Sequence, residues 1–513
     1  MTRYTTILNT INALCSVSAT ASYSFYVGSN LTASGAVLVG GTGEEVSSHW
    51  LKIYPAADHA LNETVTVGVT SAAVVPGKLT NIPQVQHTFR YISMDYSDYL
   101  GFPPPISNGG VNEKGVAVRD VWAPGRAELL DMTPKPQKGP SYSDLARLVM
   151  ERASSAREGV EIIGDLIRKY GYSDYGGNTH LIADKDEGWI VWEFAGGKGL
   201  WAAERLGPND VRVSFPGYIH EFPTDFKQNP NYMGSDNIVS FSIEQGWWNF
   251  TSGEPFNIKK VYGLQPGQET PAGGDAEYMS PQRLEKLTME MAPVTEKDLI
   301  DRVRDPRISN DEAGYGQVVS LQADIDSDMY RIWIAPTSSV AAPFIPWWLG
   351  AESIPPELGE HRYLTKDAES TFLNPDYQLQ EASLFAGRLF KRVLYYMCST
   401  PRKYLPLVKR TFIGFEDQSR EDIEWVEKAA RLMISNGEPN ASRSLLTHYS
   451  HTRAAQAIDM GKSMVNALDS YVKLAGQWRD PKEAQINISP NGEPVNCLVG
   501  IDPEEPPSEQ LKN

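Results

Sequence analysis

Immediately after residue 21 the chain alternates with a period of two: Tyr23, Phe25 and Val27 against Ser24, Tyr26 and Gly28. That spacing predicts a strand, because successive strand side chains face opposite ways. Ser29-Asn30 and Ala33-Ser34-Gly35 supply turn chemistry, and Ala36-Val37-Leu38-Val39 follows as a second short strand. Further strands are expected over residues 64–69, 116–121, 180–183, 189–194, 211–215, 317–322 and 330–335. Helical spacing occupies 142–153, 280–291 and 159–170, the last with Val160, Ile162, Ile163, Leu166 and Ile167 as its apolar positions. Hairpin-like strand spacing with interleaved helices predicts an α+β lobe over residues 22–350 rather than strict βαβ alternation.

Beyond Pro355-Pro356 the pattern turns helical, over 382–397, 419–435 and 446–475. In the last of these Ile458, Met464, Val465, Leu468, Tyr471 and Val472 recur at three- and four-residue spacing, the stripe of a helix packed on a larger body. Residues 351–501 are therefore expected as a helical region on the lobe. Residues 502–513, with three prolines and four acidic residues, are expected as a flexible tail.

The 513 residues exceed what one compact core sustains, roughly 250–300. With 41% hydrophobic and 22% charged residues the composition is ordinary for a folded protein and excludes a fibrous or disordered chain. A net charge of −17 would repel a phosphate backbone, so no nucleic-acid partner is expected. The uncharged stretch 332–351 holds Pro336, Pro343 and Pro346, which break a helix, so no membrane span is expected either. Cys15, Cys398 and Cys497 contain no C-x-x-C and make neither a disulfide scaffold nor a cysteine-rich zinc site, though one bridge between Cys398 and Cys497 stays open. There is no H-E-x-x-H, and His448 with His451 lacks a third ligand and reads as a solvated helix face. No P-loop and no G-x-S-x-G elbow is present, and Gly40-Gly41-Thr42-Gly43 lacks the spacing of a dinucleotide-binding turn.

Residues 1–21 carry Arg3 as their only charge, a mildly apolar middle and a terminal Ala19-Thr20-Ala21. This is the layout of a secretory signal cleaved before Ser22, with an autoprocessed propeptide ending at the same place as the alternative. The first implies an extracellular protein, the second a cytoplasmic one. Glycosylation sequons at Asn30, Asn62, Asn249, Asn440 and Asn487 suit the first. Either cleavage would leave Ser22 with its hydroxyl and a free α-amine on one residue. Such an amine has a pKa of roughly 7.7–8.0, so part of it is neutral near pH 7 and can serve as a base for its own side chain. The plainer reading makes Ser22 only the first residue of a secreted chain.

The segment Ala21-Ser22-Tyr23-Ser24-Phe25-Tyr26-Val27-Gly28, with Leu31-Thr32-Ala33-Ser34-Gly35-Ala36, resembles the start of the C69 dipeptidase family, which includes the secernins and belongs to the N-terminal-nucleophile (Ntn) amidohydrolases. Three more blocks resemble that family in the same order: Asn108 to Val118, Gly177 to Ser214, and Tyr330 to Gly350. The resemblance implies a four-layer αββα sandwich with an added C-terminal helical region. It implies a hydrolase of linear amide bonds, typically a dipeptidase, acting on a small peptide or N-acyl substrate without metal or organic cofactor. A homo-oligomer is compatible with it. Ser22 matches the nucleophile, which in the family is cysteine, so this chain is either a natural serine member or one whose cysteine has been replaced. The family's arginine after the second strand is matched by Gly41, while Glu44 matches the acidic partner. Arg283 resembles a late arginine of the superfamily and is a candidate to stabilise the nucleophile. The asparagines used for oxyanion binding are matched by Trp122 and Phe215, so Asn112, Asn178 and His180 become candidates for substrate or oxyanion contact. The aromatic segment 91–105 is read as lining a substrate cleft or as a packed surface loop. An Ntn acylase acting on a small natural product, a catalytically idle peptide-binding member and, more distantly, a metallopeptidase are the rival readings.

Overall fold

The structure is a computed structural model that describes residues 22–44, 49–96, 101–104, 106–214, 219–265, 280–309, 313–360, 384–398 and 400–474, with only the backbone of Glu44. The expected leader 1–21 and tail 502–513 lie outside the described residues.

Strand β1 (Tyr23–Val27) forms where the period-two pattern places it, and β2 (Val37–Glu44) returns antiparallel beside it with Tyr23 opposite Thr42 and Ser24 opposite Gly41. The chain then builds a second sheet from β3 (His49–Tyr54), β4 (Tyr91–Tyr96), β5 (Ile106–Asn112), β6 (Ala117–Trp122), β7 (Gly177–Ala183), β8 (Gly188–Phe194) and β9 (Trp201–Leu206). Strand β10 (Val211–Ser214) comes back to pair with the free side of β1, and β11 (Tyr232–Gly234) edges the second sheet. Finally β12 (Ala313–Leu321), β13 (Arg331–Ala335) and β14 (Ile345–Trp348) complete the first. The result is a six-stranded sheet ordered β10-β1-β2-β12-β13-β14 facing an eight-stranded sheet ordered β11-β9-β8-β7-β6-β5-β4-β3. All neighbouring pairs in both sheets are antiparallel.

The two sheets share one core. Tyr26 on β1 crosses the gap: its ring occupies the space a Cβ on Gly188 would need, 2.5 Å away, and its hydroxyl donates to the Gly207 carbonyl at 3.1 Å. The outer face of the large sheet is covered by α1 (Tyr142–Arg152) and α2 (Ala156–Tyr170), whose Leu145, Leu148, Val149, Val160 and Ile163 pack on Val118, Ile182, Trp189 and Val191. Helix α1 starts at a capping box between Ser141 and Asp144. The outer face of the small sheet carries α3 (Pro281–Met289) beside β10, and α4 (Glu296–Val303), whose Leu299 sits against Gly40. The helices α5 (Ala386–Met397), α6 (Pro401–Ser435) and α7 (Pro439–Leu474) belong to the same core as the sheets. The expected αββα sandwich with a C-terminal helical region is thus what the chain forms. Among the described residues no helix is long and apolar enough to cross a membrane.

Two differences from the sequence reading have clear causes, and the bridge left open at Cys398 is present. Residues 91–96 form the interior strand β4, with Tyr91, Met94 and Tyr96 buried, and Phe102 packs against Tyr142, so these residues form no surface loop; residues 97–100 and 105 of the segment lie outside the described residues. Helix α6 begins at residue 401, 18 residues before the sequence placed it, because Pro401 occupies the permissive first turn and Pro406 is accommodated inside. Cys398 is disulfide-bonded, while Cys15 and Cys497 lie outside the described residues.

Candidate active site

Ser22 is half-buried and directly precedes β1. Strand β1 is hydrogen-bonded on both sides, to β2 from Tyr23 and to β10 from Ser24, and Ser22 stands at its start. Continuing the strand alternation puts Ser22 on the side of Ser24 and Tyr26, facing the large sheet. Ser24 is completely buried, and its hydroxyl has no hydrogen-bond partner among the described residues.

Strand β2 presents glycines here for a steric reason. A Cβ on Gly41 would lie 2.0 Å from the Tyr23 carbonyl oxygen, and one on Gly43 would lie 2.3 Å from the Tyr315 ring. The position matching the family arginine therefore admits no side chain in this backbone. A guanidinium arrives instead from the opposite sheet. Arg119 on β6 is 1% exposed and donates to the Thr42 carbonyl at 2.9 Å and the Asn108 carbonyl at 3.4 Å. With the Gln317 amide turned so that its oxygen faces Arg119, that oxygen accepts at 2.7 and 3.3 Å. The guanidinium also lies 4.9 Å from the centre of the Tyr315 ring. Nothing in the sequence reading singled out Arg119. Its signal was a charged pair, Arg119-Asp120, inside an otherwise apolar strand, where only partnered or functional charges persist.

The residues singled out from sequence are dispersed. Only Ser22 and the backbone of Glu44 fall at this end of β1 and β2; the Glu44 side chain lies outside the described residues. Arg283 is exposed in the first turn of α3, on the helical layer rather than between the sheets, and its N–H is capped by the Ser280 hydroxyl at 3.2 Å. Asn112 is consumed by the fold: it donates to the carbonyls of Met150 and Ala153 at 3.0 and 2.8 Å and accepts from the N–H groups of Lys114 and Val116 at 3.0 and 2.9 Å. Asn112→Ala is accordingly expected to cost about 2–3 kcal/mol of stability in urea unfolding while leaving KM unchanged. Asn178 donates to the Thr179 carbonyl at 3.1 Å and, paired with Trp122 and Glu193, shares the large sheet's outer face. Trp122 at the family's asparagine position carries a buried indole N–H with no partner among the described residues, a donor if not an amide. Phe215 lies outside the described residues.

His180 is fully buried beneath α1, with Nδ1 2.8 Å from the Glu193 carboxylate and Nε2 3.0 Å from the Tyr142 carbonyl. It is therefore a core group and touches no cleft. Burial by itself would hold the imidazole neutral, but Glu193 foremost, with Asp120 and the Tyr142 carbonyl, outweighs it and raises the His180 pKa. Burial likewise raises Glu193 and Asp120, and it pushes nearby Asp174 up to about 7. The folded cluster holds protons that the unfolded chain would release, so its contribution to stability falls as pH rises. For Asp174 the loss runs from its ordinary 3.8 to about 7, and for His180 it lies above the ordinary 6.5. The melting temperature is expected to drop between pH 6 and pH 9, and Glu193→Gln to flatten that slope in thermal scans.

Residues 82–289 match the model of Peptidase family C69. The chain is 30% identical over 188 residues to a probable dipeptidase of Latilactobacillus sakei, covering 36% of this chain and 37% of that one. It is 26% identical over 244 residues to probable dipeptidase B of a Streptococcus pyogenes M6 strain, covering 46% and 45%. The matches thus span less than half the length of these curated relatives. Among solved structures, a variant of the conjugated bile acid hydrolase of Clostridium perfringens superposes with a TM-score of 0.34 at 11% identity, covering 67% of this chain and 97% of that one. The C69 resemblance is borne out over residues 82–289, which contain its second and third sequence blocks.

Proposed function

We propose, starting from that C69 match, that this chain hydrolyses linear amide bonds in small peptides, as a dipeptidase, through an N-terminal nucleophile exposed by cleavage before Ser22. The observation that carries the reading is the position of Ser22, at the head of a strand paired on both sides. The Ser22 hydroxyl attacks the substrate carbonyl while its α-amine takes the hydroxyl proton. The C–N bond then breaks as that proton passes to the leaving amine, and water, activated by the same amine, hydrolyses the acyl-enzyme. Glu44, at the end of β2, is the acid assigned to orient the amine. The scheme calls on no metal or organic cofactor.

An extracellular location fits this reading. The sequon asparagines Asn30, Asn62, Asn249 and Asn440 are all exposed, and Cys398 is disulfide-bonded, as in oxidising compartments. The test is intact-mass and N-terminal analysis of protein from its native route, with turnover measured on a dipeptide panel and an N-acyl-amine panel. A mature chain starting at Ser22 that cleaves dipeptides supports the reading. Any other start defeats the mechanism, and turnover confined to N-acyl amines would make the protein an acylase.

A further inference from the structure

We propose that Arg119 is the positioning residue of this site: acting through the Thr42 carbonyl from the opposite sheet, it places beside Ser22 the positive charge that the Gly41 position cannot carry. The inference rests on the reading of Ser22 as an N-terminal nucleophile. Three observations support it. First, the guanidinium is 1% exposed, yet its hydrogen-bond partners among the described residues are all neutral: the Thr42, Asn108 and Gln317 oxygens. Its charge is met by neutral oxygens, the Tyr315 ring and the field of Asp120 across the strand, whereas an apolar side chain of similar size would serve packing at least as well. Second, the anchor is specific to the site, because Thr42 is the residue paired with Tyr23, next to Ser22. Third, Gln317 pairs with Gly41 on the other side of β2, so Arg119 grips that strand where any side chain is excluded.

A cation held there favours the neutral form of the Ser22 amine, the form that acts as base, and favours negative charge on the attacking oxygen. Among the described residues, Asp305 in the helical layer acts on Tyr23, and α3, beside β10, carries Arg283 and Glu285; the Glu44 side chain lies outside the described residues. Tyr315 lies under the guanidinium, and Asp120 occupies the far face of β6. Of these groups only Arg119 joins the two sheets at Thr42.

The test compares the parent chain with Arg119→Met, Arg119→Lys and, as an exposed control, Arg168→Met, each with its N terminus at Ser22 verified by mass. The α-amine is titrated directly by the pH dependence of its acylation, read by mass spectrometry, which needs no turnover. Arg119→Met is expected to raise the amine pKa by about one unit, with Arg119→Lys restoring most of the shift and Arg168→Met producing none. The loss in kcat/KM for Arg119→Met should then be about tenfold greater at pH 6 than at pH 9. An amine pKa unchanged in a folded Arg119→Met protein overturns the assignment, whatever happens to activity. Ser22→Ala separates the two readings: a variant that still turns over defeats the N-terminal-nucleophile mechanism, while the amine titration continues to decide Arg119.

Discussion

Ser22→Ala is expected to lower kcat/KM for dipeptides at least 10³-fold while changing the melting temperature by no more than a degree or two. The magnitude follows from covalent catalysis: without the hydroxyl no acyl-enzyme forms, and only positioning and oxyanion stabilisation remain. The small stability change follows from burial, since Ser22 is half-buried and lies outside the ladder of β1. Ser22→Cys is the informative companion. A thiol is partly ionised near neutral pH and intrinsically more nucleophilic, so its kcat should exceed that of the serine chain if the site is built for sulfur. Steady-state kinetics on one dipeptide with all three chains decides the matter. Equal, negligible rates for all three would identify a binding protein rather than an enzyme.

Glu416→Ala is expected to destabilise the protein by about 3–5 kcal/mol. Glu416 projects from α6 into the sandwich, where it and Arg304 are each only 1% exposed. Its carboxylate accepts from both terminal nitrogens of Arg304, at 3.0 Å for Nη1, and from the Phe344 N–H at 2.8 Å. Arg304 in turn donates from Nε to the Ser339 carbonyl at 2.9 Å. Removing the carboxylate leaves Arg304 with Asp301 at 3.6 Å as its remaining acidic neighbour and strands the Phe344 backbone donor in the interior. Arg304→Met combined with Glu416→Leu should recover most of the loss, because it removes both charges and keeps the volume. Urea unfolding of the single and double variants measures both outcomes.

The parts of the fold legible in the sequence are those whose two faces differ. In α2 one side meets the core and the other meets solvent, and the apolar period shows it; β1 is buried on both faces and alternates because Ser24 lies on the face opposite Tyr23 and Phe25. Strand β4, Tyr-Ile-Ser-Met-Asp-Tyr, is buried on both faces, so its polar residues find partners inside: Ser93 donates to Asp95 at 2.6 Å, and Tyr54 donates to Asp95 at 2.6 Å. No alternation survives in such a strand. Strand β14 contains Pro346, which demotes a strand on sequence grounds but is tolerated at the edge of a sheet. Of the proposed site, the sequence pointed to Ser22 and Glu44, through the leader-like segment and the family resemblance. Arg119 was not, because its contacts come from strands some 70 to 200 positions away in the chain, at Thr42 and Gln317. Asn112, Asn178 and His180 looked chemical because they are polar residues in apolar runs. In each case the polar group answers a need of the backbone or of a neighbouring buried acid.

The two-sided pairing of β1 also bears on the entropy of reaction. Chain termini usually fray, but the backbone that follows Ser22 is held in ladders with both β2 and β10. With that backbone fixed, a single torsion, χ1 of Ser22, relates the amine to the hydroxyl, and it has three staggered wells. Selecting one well of three costs only about 0.6 kcal/mol at room temperature. In the proposed mechanism the base and the nucleophile are thus related by one residue's own covalent geometry, before any substrate arrives.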